Sequence, residues 1–203
     1  MSLRPNEDKK ARGEIKWQNT RSRGVEVRKA YIEYFLELLA ANKIHFHIRF
    51  SPMNEYDHGG ERRIFDTVSK MFYQLLLHRP VRHYGKTCQI NIRPDNGECT
   101  RLLPGLKEAL QIDGQLKYRT ILDCINDIVP LDSKSEPLLQ FLDVPVGALT
   151  AYRNERHLMA HMGEPKRNLA SFAYEHFGKD LTANYDDGSR FSIWNVIPKR
   201  RGP

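Results

Sequence analysis

Lys43-Ile44-His45-Phe46-His47-Ile48-Arg49-Phe50 alternates residue by residue. Ile44, Phe46, Ile48 and Phe50 point one way and His45, His47 and Arg49 the other, the period-two pattern of a half-buried strand. Upstream, Val27, Tyr31, Tyr34, Phe35 and Leu38 recur at helical spacing and predict a helix over 25–41 with that stripe inward. Downstream, a loop rich in Pro, Asn, Asp and Gly occupies 51–60 and leads into a second helix over 61–78. Ile64, Val68, Met71, Phe72, Leu75 and Leu76 are its inward residues, and Pro80 is expected to stop it. Residues 87–93 alternate again, Pro94-Asp95-Asn96-Gly97 turns the chain, and Thr100 caps a third helix with Leu103, Leu106 and Leu110 at core spacing. A further strand is expected within 119–129, a helix over 166–177 closed by Gly178, and a short strand at 191–194. This order of helices and strands predicts an α/β sheet with helical crossovers, in which ligands gather near strand ends.

The stretch 132–149, DSKSEPLLQFLDVPVGAL, reads as a capped helix whose buried stripe is interrupted by polar groups. Ser133 and Glu136 have capping-box spacing, Ser135 competes as N-cap, and Pro137 suits the first turn. Leu138, Leu142 and Leu149 are expected to face a core, and Pro145 to break or kink the helix. Gln140, Asp143 and Gly147 share a neighbouring face. A carboxylate one turn beyond an amide in so apolar a helix needs a partner or a metal. Asp95, directly after a strand, is the second acid able to approach it, and two carboxylates are the minimum for holding a hard divalent ion. The structural alternatives make Asp95 a turn-former and Asp143 a hydrogen-bond acceptor.

Composition is ordinary for a globular chain of 203 residues, with 40% apolar and 28% charged residues. No apolar run approaches the ~20 residues of a membrane helix, and the polar, basic start lacks a secretory signal, so cytoplasmic residence is expected. Cys88, Cys99 and Cys124 lack CxxC spacing and read as reduced, mostly buried thiols. The net charge of +7 belongs to the ends. Residues 1–30 carry nine basic against four acidic residues, a balance of +5, and Lys199-Arg200-Arg201 adds +3, leaving −1 for 31–198. Two basic ends can hold phosphates, although solvated tails explain them equally well.

The chain resembles the domain-of-unknown-function-3800 family, bacterial and phage proteins considered ribonuclease H-like. Gly13-Glu14-Ile15-Lys16-Trp17, His58-Gly59-Gly60, and Phe72-Tyr73-Gln74-Leu75-Leu76 carry the likeness. So do Asp132-Ser133-Lys134 running into Leu139-Gln140-Phe141-Leu142-Asp143, Gly147-Ala148, and Phe191-Ser192-Ile193-Trp194. The resemblance implies a ribonuclease H-like mixed sheet over 25–198, after a basic, poorly structured segment 1–24 and before a basic tail 199–203. It further implies a nuclease in which Asp143 and Asp95 hold Mg²⁺ or Mn²⁺ for phosphodiester cleavage; Asp66, early in the second helix, is a further candidate ligand that no motif marks. Gln140 would orient Asp143, and Lys134 would touch a phosphate. Family members open with a strand carrying Asp-Glu-Ser and a second apolar strand, and nothing before Lys43 supplies either. Open sheet edges are therefore expected, closed by a homodimer or a complementing chain.

Three other constellations carry candidate chemistry. His45 and His47 share a strand face but lack a third zinc ligand. His157 and His161 are spaced i, i+4, yet Leu158 stands where a helical zinc hydrolase has its glutamate. Asp57-His58-Gly59-Gly60 precedes a helix start, where backbone amides can hold phosphate, and a simple turn explains it as well. The functional alternatives to a nuclease are a non-catalytic module binding nucleic acid or protein and an assembly subunit.

Overall fold

A computed structural model describes residues 15–52, 61–96, 103–188 and 190–197, with backbone alone at 61–66 and 103–104. The first strand, β1 (Phe46–Phe50), buries Phe46, Ile48 and Phe50 on one face, as its alternation requires. It pairs in parallel with β5 (Phe191–Asn195), and β4 (Tyr185–Asp186) adds to the far side of β5 in antiparallel. A second sheet joins β2 (Ile90–Ile92) to β3 (Ile125–Ile128) in parallel, across the crossover helix α4 (Leu103–Tyr118). The fold is thus α/β with crossover helices, and among the described residues its strands form two sheets where one was expected.

Each sheet has its own core. Phe46, Ile48, Phe191 and Ile193 pack beneath α1 (Val25–Ala40), α5 (Pro137–Arg153) and α6 (Glu164–Phe177). Ile92, Ile125 and Cys124 pack with Leu110 of α4 and with Leu76, at the end of α2 (Glu61–Leu76). Pro80 does not stop that helix. A π turn (Leu77–Val81) carries it on into α3 (Arg82–Tyr84), because the wider turn accommodates a residue with no N–H to donate. The continued rod serves both sheets. Leu77 and Val81 enter the second core, while His83 stacks on His47 at the rear of the first sheet.

Several facings differ from the periodicity. In α1 the inward residues are Val25, Arg28, Ile32 and Phe35, while Val27 and Tyr34 are exposed. Apolar residues lie on more than one side of this helix, and bonds from Arg28 to backbone carbonyls draw its charged face inward. Helix α5 runs unbroken through Pro145, whose ring is fully buried and lines the same apolar gap as Ile32, Phe35 and Ala173. Its N-cap is Glu136, which accepts from the Leu138 N–H; the Ser133 capping box does not form because Asp132 has already turned 132–136 back on itself. Leu149 is buried, but Leu138 and Leu142 are 64% and 41% exposed. Changing Leu138→Gln should therefore move stability by less than about 0.5 kcal/mol in urea unfolding, where a core leucine would cost several times more. Helix α6 ends as expected at Gly178, whose φ of 63° suits a residue without a Cβ. Cys124 is buried and Cys88 is exposed; Cys99 and Thr100 lie outside the described residues.

Candidate functional site

The polar face of α5 has a partner: the chain's own backbone. Residues from Ile15 to Thr20 run as a strap across α5, α1 and α6, where an unstructured run was expected. The Trp17 N–H donates to Asp143 Oδ2 at 2.6 Å, and the Ile15 N–H donates to Gln140 Oε1 at 3.0 Å. The other end of the same amide, Gln140 Nε2, donates to the carbonyls of Ser133 (2.7 Å) and Lys134 (3.3 Å). Gln140 therefore does not orient Asp143; both side chains grip the same strap, one helical turn apart.

Two further features hold the strap. Arg28, only 7% exposed, donates from Nε and Nη2 to the Lys16 carbonyl at 3.3 and 3.1 Å and from Nη1 to the Gly24 carbonyl at 3.1 Å. Burial lowers the Arg28 pKa from its ordinary value, and the nearby charge of Asp143 opposes that shift. Gly147 lies directly under the indole, since a Cβ there would fall 2.3 Å from Trp17 Cγ. Lys166 Nζ stands 5.7 Å from the ring centroid, within cation–π range. Thr20 finishes the strap by donating from Oγ1 to the Trp17 carbonyl at 2.7 Å.

The remaining candidates lie elsewhere. Asp95 is exposed and pairs as an isolated bridge with Leu131, extending the second sheet, whereas Asp143 sits on the helix above the first. Lys134 is exposed at the turn before α5, its N–H donating to Asp132 Oδ1. Asp66 belongs to α2, and its side chain lies outside the described residues, as does the whole loop 57–60. Among the described residues, no three His, Cys, Asp or Glu side chains gather where they could hold a metal ion. His157 stacks on Tyr152 at 4.2 Å, which in turn stacks on Tyr174 at 3.8 Å, a packed aromatic column.

Trp17 and Arg28 are the residues that sequence reasoning missed. The available signal was Gly147, a helix-interior glycine on the same face as two polar residues, which marks close approach by another backbone. No family model matches the chain, and no curated protein or solved structure does so either. Among the described residues, no helix is long and apolar enough to cross a membrane.

Proposed function

We propose that the chain is a nucleic-acid-binding module built on a ribonuclease H-like sheet, attached to phosphates through its basic ends and performing no hydrolysis at Asp143. One observation carries this reading: Asp143 and Gln140, expected in a nuclease site, accept from the backbone N–H groups of the chain's own Trp17 and Ile15. The likeness to the domain-of-unknown-function-3800 family supports the sheet type. The balances of +5 over 1–30 and +3 over 199–201 support attraction to a polyanion. A Mg²⁺- or Mn²⁺-dependent nuclease is the second reading. It draws on the same carboxylate: Asp143 is half-exposed, and among the described residues its Oδ1 forms no hydrogen bond.

Fluorescence anisotropy with labelled single- and double-stranded oligonucleotides tests the first reading. Affinity should fall by roughly a thousandfold between 50 and 200 mM salt if about six phosphates are neutralised, and removing 1–12 and 199–203 should flatten that dependence. No binding at low salt would remove the proposal. Cleavage in Mg²⁺ or Mn²⁺ that disappears in a folded Asp143→Asn variant would establish the nuclease in its place.

A further inference from the structure

The rear face of the first sheet holds a cluster of histidines and arginines that the proposed function leaves unused. Alternation along β1 turns His47 and Arg49 away from the apolar core, and His45 directly precedes the strand. His47 Nδ1 shares a hydrogen bond of 2.9 Å with Ser192 Oγ on β5, and its ring stacks on His83 of α3, centroids 5.8 Å apart and planes 12° apart. His45 bonds the Tyr84 hydroxyl and Asn42. From the π turn, Arg79 is buried and pairs with Asp186 of β4 at 2.5 Å. His78 meets Trp194 edge-on at 5.7 Å and bonds Gln74 and the Tyr118 hydroxyl, while the Arg49 guanidinium lies 4.3 Å over Trp194.

We propose that this seam is an acid-sensitive clasp, in which protonation of His47 and His83 releases the π turn and α3 from the sheet while the apolar core on the opposite face stays closed. The geometry supplies the reason. His47 Nε2 and His83 Nε2 are both buried, and neither has a hydrogen-bond partner among the described residues. A neutral ring tolerates one such nitrogen, but an imidazolium must bury an unsatisfied N–H together with a charge. The charges around them are mostly of the same sign: His45 just before β1, Arg79 from the π turn and Arg82 from α3, with Lys117 of α4 and Arg49 of β1 beside the neighbouring His78. The carboxylate opposing them at His47 and His83 is Asp186, already engaged by Arg79. Tyr84 is pushed up, chiefly by burial, and stays neutral throughout the relevant range.

The sign follows from the shifts. Burial first, then Arg79 and the neighbouring histidines, bring His47 down from 6.5 to about 4. His78 and His83 are lowered too, by burial and then by nearby Lys and Arg. The closed seam therefore binds fewer protons than the open one between those values, so it is fully stable above pH 6.5 and weakens as pH falls towards 4. From pH 7 to pH 5 His47 alone shifts the closed-to-open ratio by up to about twentyfold.

Hydrogen exchange of the full chain at pH 7 and pH 5, corrected for intrinsic rates, tests the clasp. Amides of 77–84 should lose about tenfold or more protection while those of α5 and α6 keep theirs, and His47→Phe should remove most of that pH dependence. Equal protection of 77–84 at both values, or a loss spread evenly over α5 and α6, would overturn the proposal. Should His47→Phe not fold, NMR titration of the wild-type histidine rings decides: His47 titrating well below 6 supports the clasp, and an ordinary value near 6.5 refutes it.

Discussion

Gly147→Ala should destabilise the protein by about 1–3 kcal/mol, although glycine-to-alanine in a helix interior ordinarily gains about 1 kcal/mol. The sign reverses because the added methyl would fall 2.3 Å from Trp17 Cγ and 2.5 Å from its Cβ, so the indole must leave. Its departure takes packing with it, and a fully buried tryptophan is worth ~3–5 kcal/mol when truncated. Trp17 is half-buried, so part of that range applies. In a Trp194→Phe background, fluorescence reports Trp17 alone, and a red shift in Gly147→Ala should accompany the lowered urea midpoint. An unshifted spectrum with raised stability would mean that the strap does not rest on this glycine.

Asp143→Ala should cost about 2–4 kcal/mol, and Asp143→Asn about half as much. A charge-assisted hydrogen bond is worth ~1.5–3 kcal/mol, here to a partly buried donor, and alanine also leaves Arg28 buried without its nearby counter-charge. Asparagine keeps an acceptor for the Trp17 N–H and loses only the charge. For a domain of this size the alanine variant should melt ~4–16 °C lower. A carboxylate crowded by other acids repels its neighbours instead, and its removal in metal-free buffer would raise the melting temperature. Thermal melts of the two variants in chelator-treated buffer make that comparison.

The positions of these two residues show how far the chain could be read beforehand. Asp143, Gln140 and Gly147 were placed on one helical face by spacing alone, and the need for a partner followed from the cost of an idle carboxylate. The partner's identity did not follow. It is a backbone N–H 126 residues away, and a peptide group leaves no mark on residue type. The metal reading arose because a carboxylate awaiting a cation and one awaiting an N–H have the same local sequence. Leu138 and Leu142 misled for a related reason, since helical spacing defines a face without saying whether anything covers it.

By itself, then, the sequence determined the order of the longer helices and strands, the two faces of β1, and the Gly178 stop of α6, all of which depend on contacts within a few residues. Tertiary structure alone decided that the strands divide into two sheets, that Pro80 lies in a π turn serving both, and that residues 15–17 close over Asp143. Each of those outcomes is set by which distant surface arrives to satisfy a donor, an acceptor or an apolar patch, a choice made by the folded chain as a whole.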